Sequence, residues 1–157
     1  MWSMKWIAAR PGFVDRWHDD DIDPEEYVVD EFDNVDGPFD TARVLLLEAD
    51  PLALATVDRL HDEGWAHDPP HWRGDSLRAF ARALGNVPDT RGPQDGFWRL
   101  DDAAVEAVTP RLPWVSKQAD RPVEVRRQSI LAEWNTARQL HNFLAEALDK
   151  GNEVIAD

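Results

Sequence analysis

"PVEVRRQSILAEWNTARQLHNFLAEALDK", residues 122–150, decides the fold class. Ile130, Trp134, Ala137, His141, Leu144 and Leu148 recur at steps of four and three, the period of one helix face. Leu140, Phe143 and Ala147 widen that stripe toward its C-terminal end. Pro122 suits a helix start, where its missing N–H costs nothing, and Gly151 suits the stop. The stretch therefore predicts one helix of about 43 Å at 1.5 Å per residue. It holds fewer than four clean heptads, so the spacing does not establish a coiled coil. The stripe has two uses: as the spine of the chain's own core, or as a contact between copies through Trp134, Leu140, Phe143, Leu144 and Leu148.

Working outward, the preceding segments are also helical. Asp101 caps a short helix over 102–109, and Asp75 or Ser76 caps "LRAFARALG", with Leu77, Phe80, Ala81 and Leu84 on one face. Asp50 caps a helix over 51–63 that begins at Pro51 and stops at Gly64. Asp40 or Thr41 caps "ARVLLLEAD", after a turn at Asp36-Gly37-Pro38. Residues 68–74 and 86–97 read as loops dense in proline and glycine. Only the N-terminal end reads as β. "WSMKWIAA", residues 2–9, alternates Trp2, Met4 and Trp6 with polar residues, and "YVVDEF", residues 27–32, can pair with it. The expected fold is mainly α: about five helices, a small N-terminal β element and a long C-terminal helix. We read residues 1–157 as a single domain. It comprises an acidic N-terminal segment (1–40), a helical core (41–118) and the long amphipathic helix (121–150).

The chain has no cysteine, which removes disulfides and thiolate metal sites. No apolar run approaches the roughly 20 residues that span a bilayer, and the start does not read as a signal peptide. These features point to a soluble, cytoplasmic protein. Net charge is −14. Nucleic acid and anionic membrane are therefore excluded as expected partners, since both need a basic footprint.

The charge is concentrated. From Asp15 to Asp40 there are twelve acids and one base, Arg16, which is eleven of the fourteen net negative charges. A salt-adapted surface would be acidic throughout, so a local purpose is the better reading. Within "WHDDDIDPEE", residues 17–26, the acids Asp19, Asp21 and Asp23 match the first three ligand positions of an EF-hand loop. Pro24 then stands where that loop needs glycine and Asp30 where it needs glutamate, so the motif fails. The alternative is a docking face for a basic protein surface: Asp19, Asp20, Asp21, Asp23, Glu25, Glu26, Asp30 and Glu31 steering the encounter, with Trp17, Tyr27 and Phe32 supplying apolar contact. A third reading has those apolar residues anchoring the segment to its own domain, with the acids as its wet side.

"HDEGWAHDPPHWRGD", residues 61–75, holds the other chemistry-bearing cluster. His61, His67 and His71 could hold a zinc ion with an open position, and Glu63 or Asp68 could act as general base. Their spacing matches no established zinc motif. Against this, a histidine on a last helical turn is favoured by the helix dipole, and loop histidines pack beside tryptophan.

The sequence contains no phosphate loop, dinucleotide fingerprint or nucleophile elbow. The expectation is a non-catalytic acidic module of the inhibitor, immunity or viral accessory type, binding without a cofactor. The alternatives are a divalent-metal hydrolase built on His61, His67 and His71, and a phage-type assembly protein that forms homo-oligomers through the last helix.

Overall fold

Strands distant in sequence meet in one antiparallel sheet. β1 (Trp6–Ala9) and β4 (Glu153–Ala156) pair at its centre, while β2 (Val28–Phe32) flanks β1 and β3 (His71–Trp72) flanks β4. This computed structural model describes residues 5–33, 36–85 and 101–157. Trp2, Met4 and the loop expected over 86–97 lie outside the described residues, as does the side chain of Trp134. Six helices are described: α1 (Asp36–Ala49), α2 (Pro51–Trp65), α3 (Asp75–Leu84), α4 (Asp102–Val108), α5 (Pro113–Ser116) and α6 (Val123–Asp149). The fold is mainly α with a small sheet, as the periodicity predicts.

Both central strands are buried at every position, so alternate residues serve two cores. On one face, Trp6, Ala8, Val154, Ala156 and Trp72 join the helical core. There Trp6 stacks on Trp72 with ring centroids 4.9 Å apart, and both stack on Phe80 of α3. On the other face, Ile7, Ala9 and Ile155 form a smaller cluster with Phe13 and Val14.

The long helix forms as expected and stops at a Schellman turn. Gly151, at φ +71°, donates its N–H to Leu148 O, and Asn152 N–H reaches Ala147 O at 2.8 Å. That turn sends the chain directly into β4, a central strand that the sequence reading did not anticipate. The α6 stripe faces the chain's own helices, with Ile130, Leu140 and Leu144 fully enclosed and Phe143 nearly so. Of the residues expected to meet a second copy, Leu140, Phe143 and Leu144 are buried within the chain and Leu148 packs partly against the same core. His141 on that stripe donates Nδ1–H to the Ala81 carbonyl at 2.9 Å, and burial pushes its pKa down.

Two boundaries differ from expectation. The helix expected after a turn at Asp36-Gly37-Pro38 begins at Asp36, because proline within a first turn lacks only a donor that the helix would leave unused. Gly64 does not stop α2, which continues to Trp65. A Cβ at Gly64 would overlap the Trp72 indole, so that glycine is a packing requirement. Arg126, almost fully buried, donates to Glu106 at 2.7 Å and to Thr109 at 3.1 Å, fastening the start of α6 to α4. Arg127 pairs with Glu124 and Asp102.

Candidate functional site

Residues 10–27 form a strap over the sheet face that the helices leave uncovered. The strap turns at Gly12, whose φ of +97° is a conformation that suits glycine alone. Phe13 and Val14 then drop into the cluster with Ile7, Ala9 and Ile155, and Trp17, Ile22, Tyr27 and Val28 pack around them. Tyr27 stacks on Phe13 at 5.3 Å, while Trp17 meets Phe13 edge-on at 5.4 Å. The Tyr27 hydroxyl accepts from Arg16 at 2.9 Å, and Arg10 N–H bonds to the Tyr27 carbonyl at 2.8 Å.

A buried carboxylate clamps the strap. Glu153 of β4 is 4% exposed; its Oε1 accepts the Gly12 N–H at 2.6 Å and its Oε2 lies 3.5 Å from Arg73. Arg73 also pairs with Asp15 at 3.1 Å, and that hydrogen bond first, with the fields of Asp15 and Glu153, holds its pKa above the ordinary arginine value. A second tie joins His18 Nε2 to Asp68 at 3.2 Å. The sequence reading missed the Gly12, Arg73 and Glu153 clamp because its members are 61 and 80 positions apart along the chain.

The apolar side of the strap is thus turned inward, and its outer side is carboxylate. Asp19 pairs with Arg16, and Glu31 on β2 pairs with Lys5 at 2.8 Å. Asp20, Asp21, Asp23, Glu25 and Glu26 are exposed and form no ion pair with a lysine or arginine among the described residues. Asp23 Oδ1 accepts the Glu25 N–H at 3.0 Å, which starts the short 3₁₀ turn Pro24–Glu26. On β2, Asp30 Oδ1 accepts the N–H of Glu31 at 2.9 Å. Phe32 faces Phe143 of α6 with centroids 5.7 Å apart. Of the aromatics expected at a docking surface, Trp17, Tyr27 and Phe32 are all half-buried against their own chain.

The histidines divide into two environments. His61 stacks on Phe39 at 4.6 Å, and its Nε2 accepts the Trp65 indole N–H at 2.8 Å. Burial pushes its pKa below the ordinary 6.5, against the raising effect of Asp62. His67 and His71 lie ring to ring, centroids 4.5 Å apart, and His71 Nδ1–H donates to the Pro69 carbonyl at 2.8 Å. Among the described residues no three histidine, aspartate or glutamate side chains converge as a metal-holding group. Among them, too, no helix is long and apolar enough to cross a membrane.

Compared with known proteins, the chain matches no family model, no curated protein and no solved structure.

Proposed function

We propose that this protein is a non-catalytic acidic module that binds a basic protein surface through the strap and the adjoining edge strand. The observation that carries this reading is the two-sidedness of the strap. Five exposed carboxylates, at Asp20, Asp21, Asp23, Glu25 and Glu26, lack a lysine or arginine partner among the described residues, while Phe13, Val14 and Glu153 fasten the segment from beneath. Like charges held this close repel one another, and the repulsion is relieved when a cationic surface arrives. Because the strap is anchored, little ordering entropy is spent on binding, and the fixed field steers the encounter. An inhibitor or immunity protein that masks a basic site needs that combination.

The test is capture of purified basic proteins on the immobilised module at low and at physiological salt. Capture should weaken steeply with salt and disappear when Asp20, Asp21 and Asp23 are replaced by lysine. Capture unchanged by those replacements would remove the strap from the interface.

A further inference from the structure

The edge strand β2 and the C-terminal half of α6 leave a groove between them. Two adjoining cavities of about 270 and 260 Å³ run along it and share Asp30, Phe143 and Glu146. Phe143, Ala147 and the exposed Val29 supply apolar lining, while Asp30 and Glu146 supply carboxylates. Lys150 lies in the same lining, with Nζ donating to Glu146 at 2.6 Å. Glu146 and, more weakly, Asp30 hold that ammonium in its charged form.

A partner is not positioned to add a strand here. The Asp30 carboxylate already occupies the Glu31 N–H, and the β1–β2 register shifts between Ala8 and Ala9. Both are devices that blunt an edge. The groove is instead shaped for a side chain with an apolar stem and a cationic head.

Resting on the acidic-face reading above, the geometry points to this groove as the receptor for an arginine side chain of the basic partner, with Lys150 as the internal cation that the arginine displaces. Arginine suits it better than lysine. Its planar fork can engage two carboxylates, and its stem can lie along the exposed Val29.

The test uses the full chain and dye-labelled oligo-arginine and oligo-lysine peptides of equal length, read by fluorescence anisotropy at physiological salt. Oligo-arginine should bind more tightly. Lys150→Ala should tighten its binding about two- to fivefold, the range of an exposed ion pair, and Asp30→Asn, which keeps the acceptor for Glu31 N–H, should weaken it by a similar factor. Lys117→Ala makes the same charge change just after α5, beside Gln118, which bonds Ser129 of α6. Ser129 is about 30 Å from Lys150 at 1.5 Å per helical residue, so this variant should leave binding unchanged. Equal tightening by Lys150→Ala and Lys117→Ala would mean a general field and overturn the groove. Binding lost on replacing Asp20, Asp21 and Asp23 but indifferent to Asp30 and Lys150 would overturn the groove and leave the acidic-face reading standing. No binding of either peptide would overturn both.

Discussion

The indole of Trp72 lies across the backbone of α2 at Gly64, donating Nε1–H to the Leu60 carbonyl at 2.8 Å. A side chain at position 64 has no room, since its Cβ would overlap the indole ring. Alanine in a helix interior ordinarily gains about 1 kcal/mol over glycine. Here overpacking of about 1–3 kcal/mol or more should reverse the sign. Gly64→Ala is expected to lower the urea midpoint, and Trp72→Phe, which removes the colliding ring, to cost less in the Gly64→Ala background than in the parent. A Gly64→Ala protein as stable as the parent would show that β3 does not hold Trp72 against α2.

The relation between Gly64 and Trp72 also marks how far the sequence could be read. Where a signal is local and repeated it was legible: the stripe Ile130–Leu148, the cap at Asp50, which accepts the Ala53 N–H at 3.1 Å, and the cap at Asp101, which accepts from Ala104 at 2.8 Å. What depends on partners far along the chain was not. β3 has two residues and β4 four, too short for alternation to distinguish them from loop. Glu153 looks like any charged residue near a helix end until Gly12 and Arg73 arrive. The strap was legible as charge, and its interleaved aromatics left open whether they faced a partner or the chain itself. They face the sheet, because Ile7, Ala9 and Ile155 leave an apolar surface that must be covered.

Removing the clamp should loosen the strap ahead of the helices. In Glu153→Ala the Gly12 N–H loses its buried acceptor and Arg73 loses one of its carboxylates. The expected cost is about 1–3 kcal/mol, the range for a buried donor left unsatisfied. Hydrogen exchange should accelerate over residues 10–27 more than over α6. Uniform acceleration through both would mean that the strap does not open separately.

Acidification should destabilise the protein before its carboxylates titrate. His61 and His141 both have folded-state pKa values pushed below 6.5 by burial. The unfolded chain therefore binds protons more readily than the native one. Their contribution is fully present above the unfolded value of about 6.5 and is lost as pH falls through it toward the depressed folded values. Protonating His61 would also remove the acceptor for the Trp65 indole. Stability measured by urea should fall as pH drops through and below about 6.5. The slope should shrink in His61→Phe, which keeps the stack on Phe39. An unchanged slope would exclude His61 as a contributor.

The carboxylates of the strap should cost stability. Asp20, Asp21 and Asp23 lie among like charges and have no lysine or arginine pair among the described residues, so neutralising them relieves repulsion without breaking an ion bridge. Asparagine at 23 keeps an acceptor for the Glu25 N–H, so the local turn survives. The triple variant Asp20→Asn, Asp21→Asn, Asp23→Asn is expected to be more stable than the parent at low salt, by about 0.3 kcal/mol for each like-charge contact removed. The gain should fade at high salt, where the Debye length contracts to about 3 Å at 1 M. The same variant should lose capture of basic proteins. Opposite changes in stability and capture would mean these acids serve binding at the expense of the fold. A triple variant that is both less stable and binding-competent would mean they serve the fold, and the interface would then lie elsewhere.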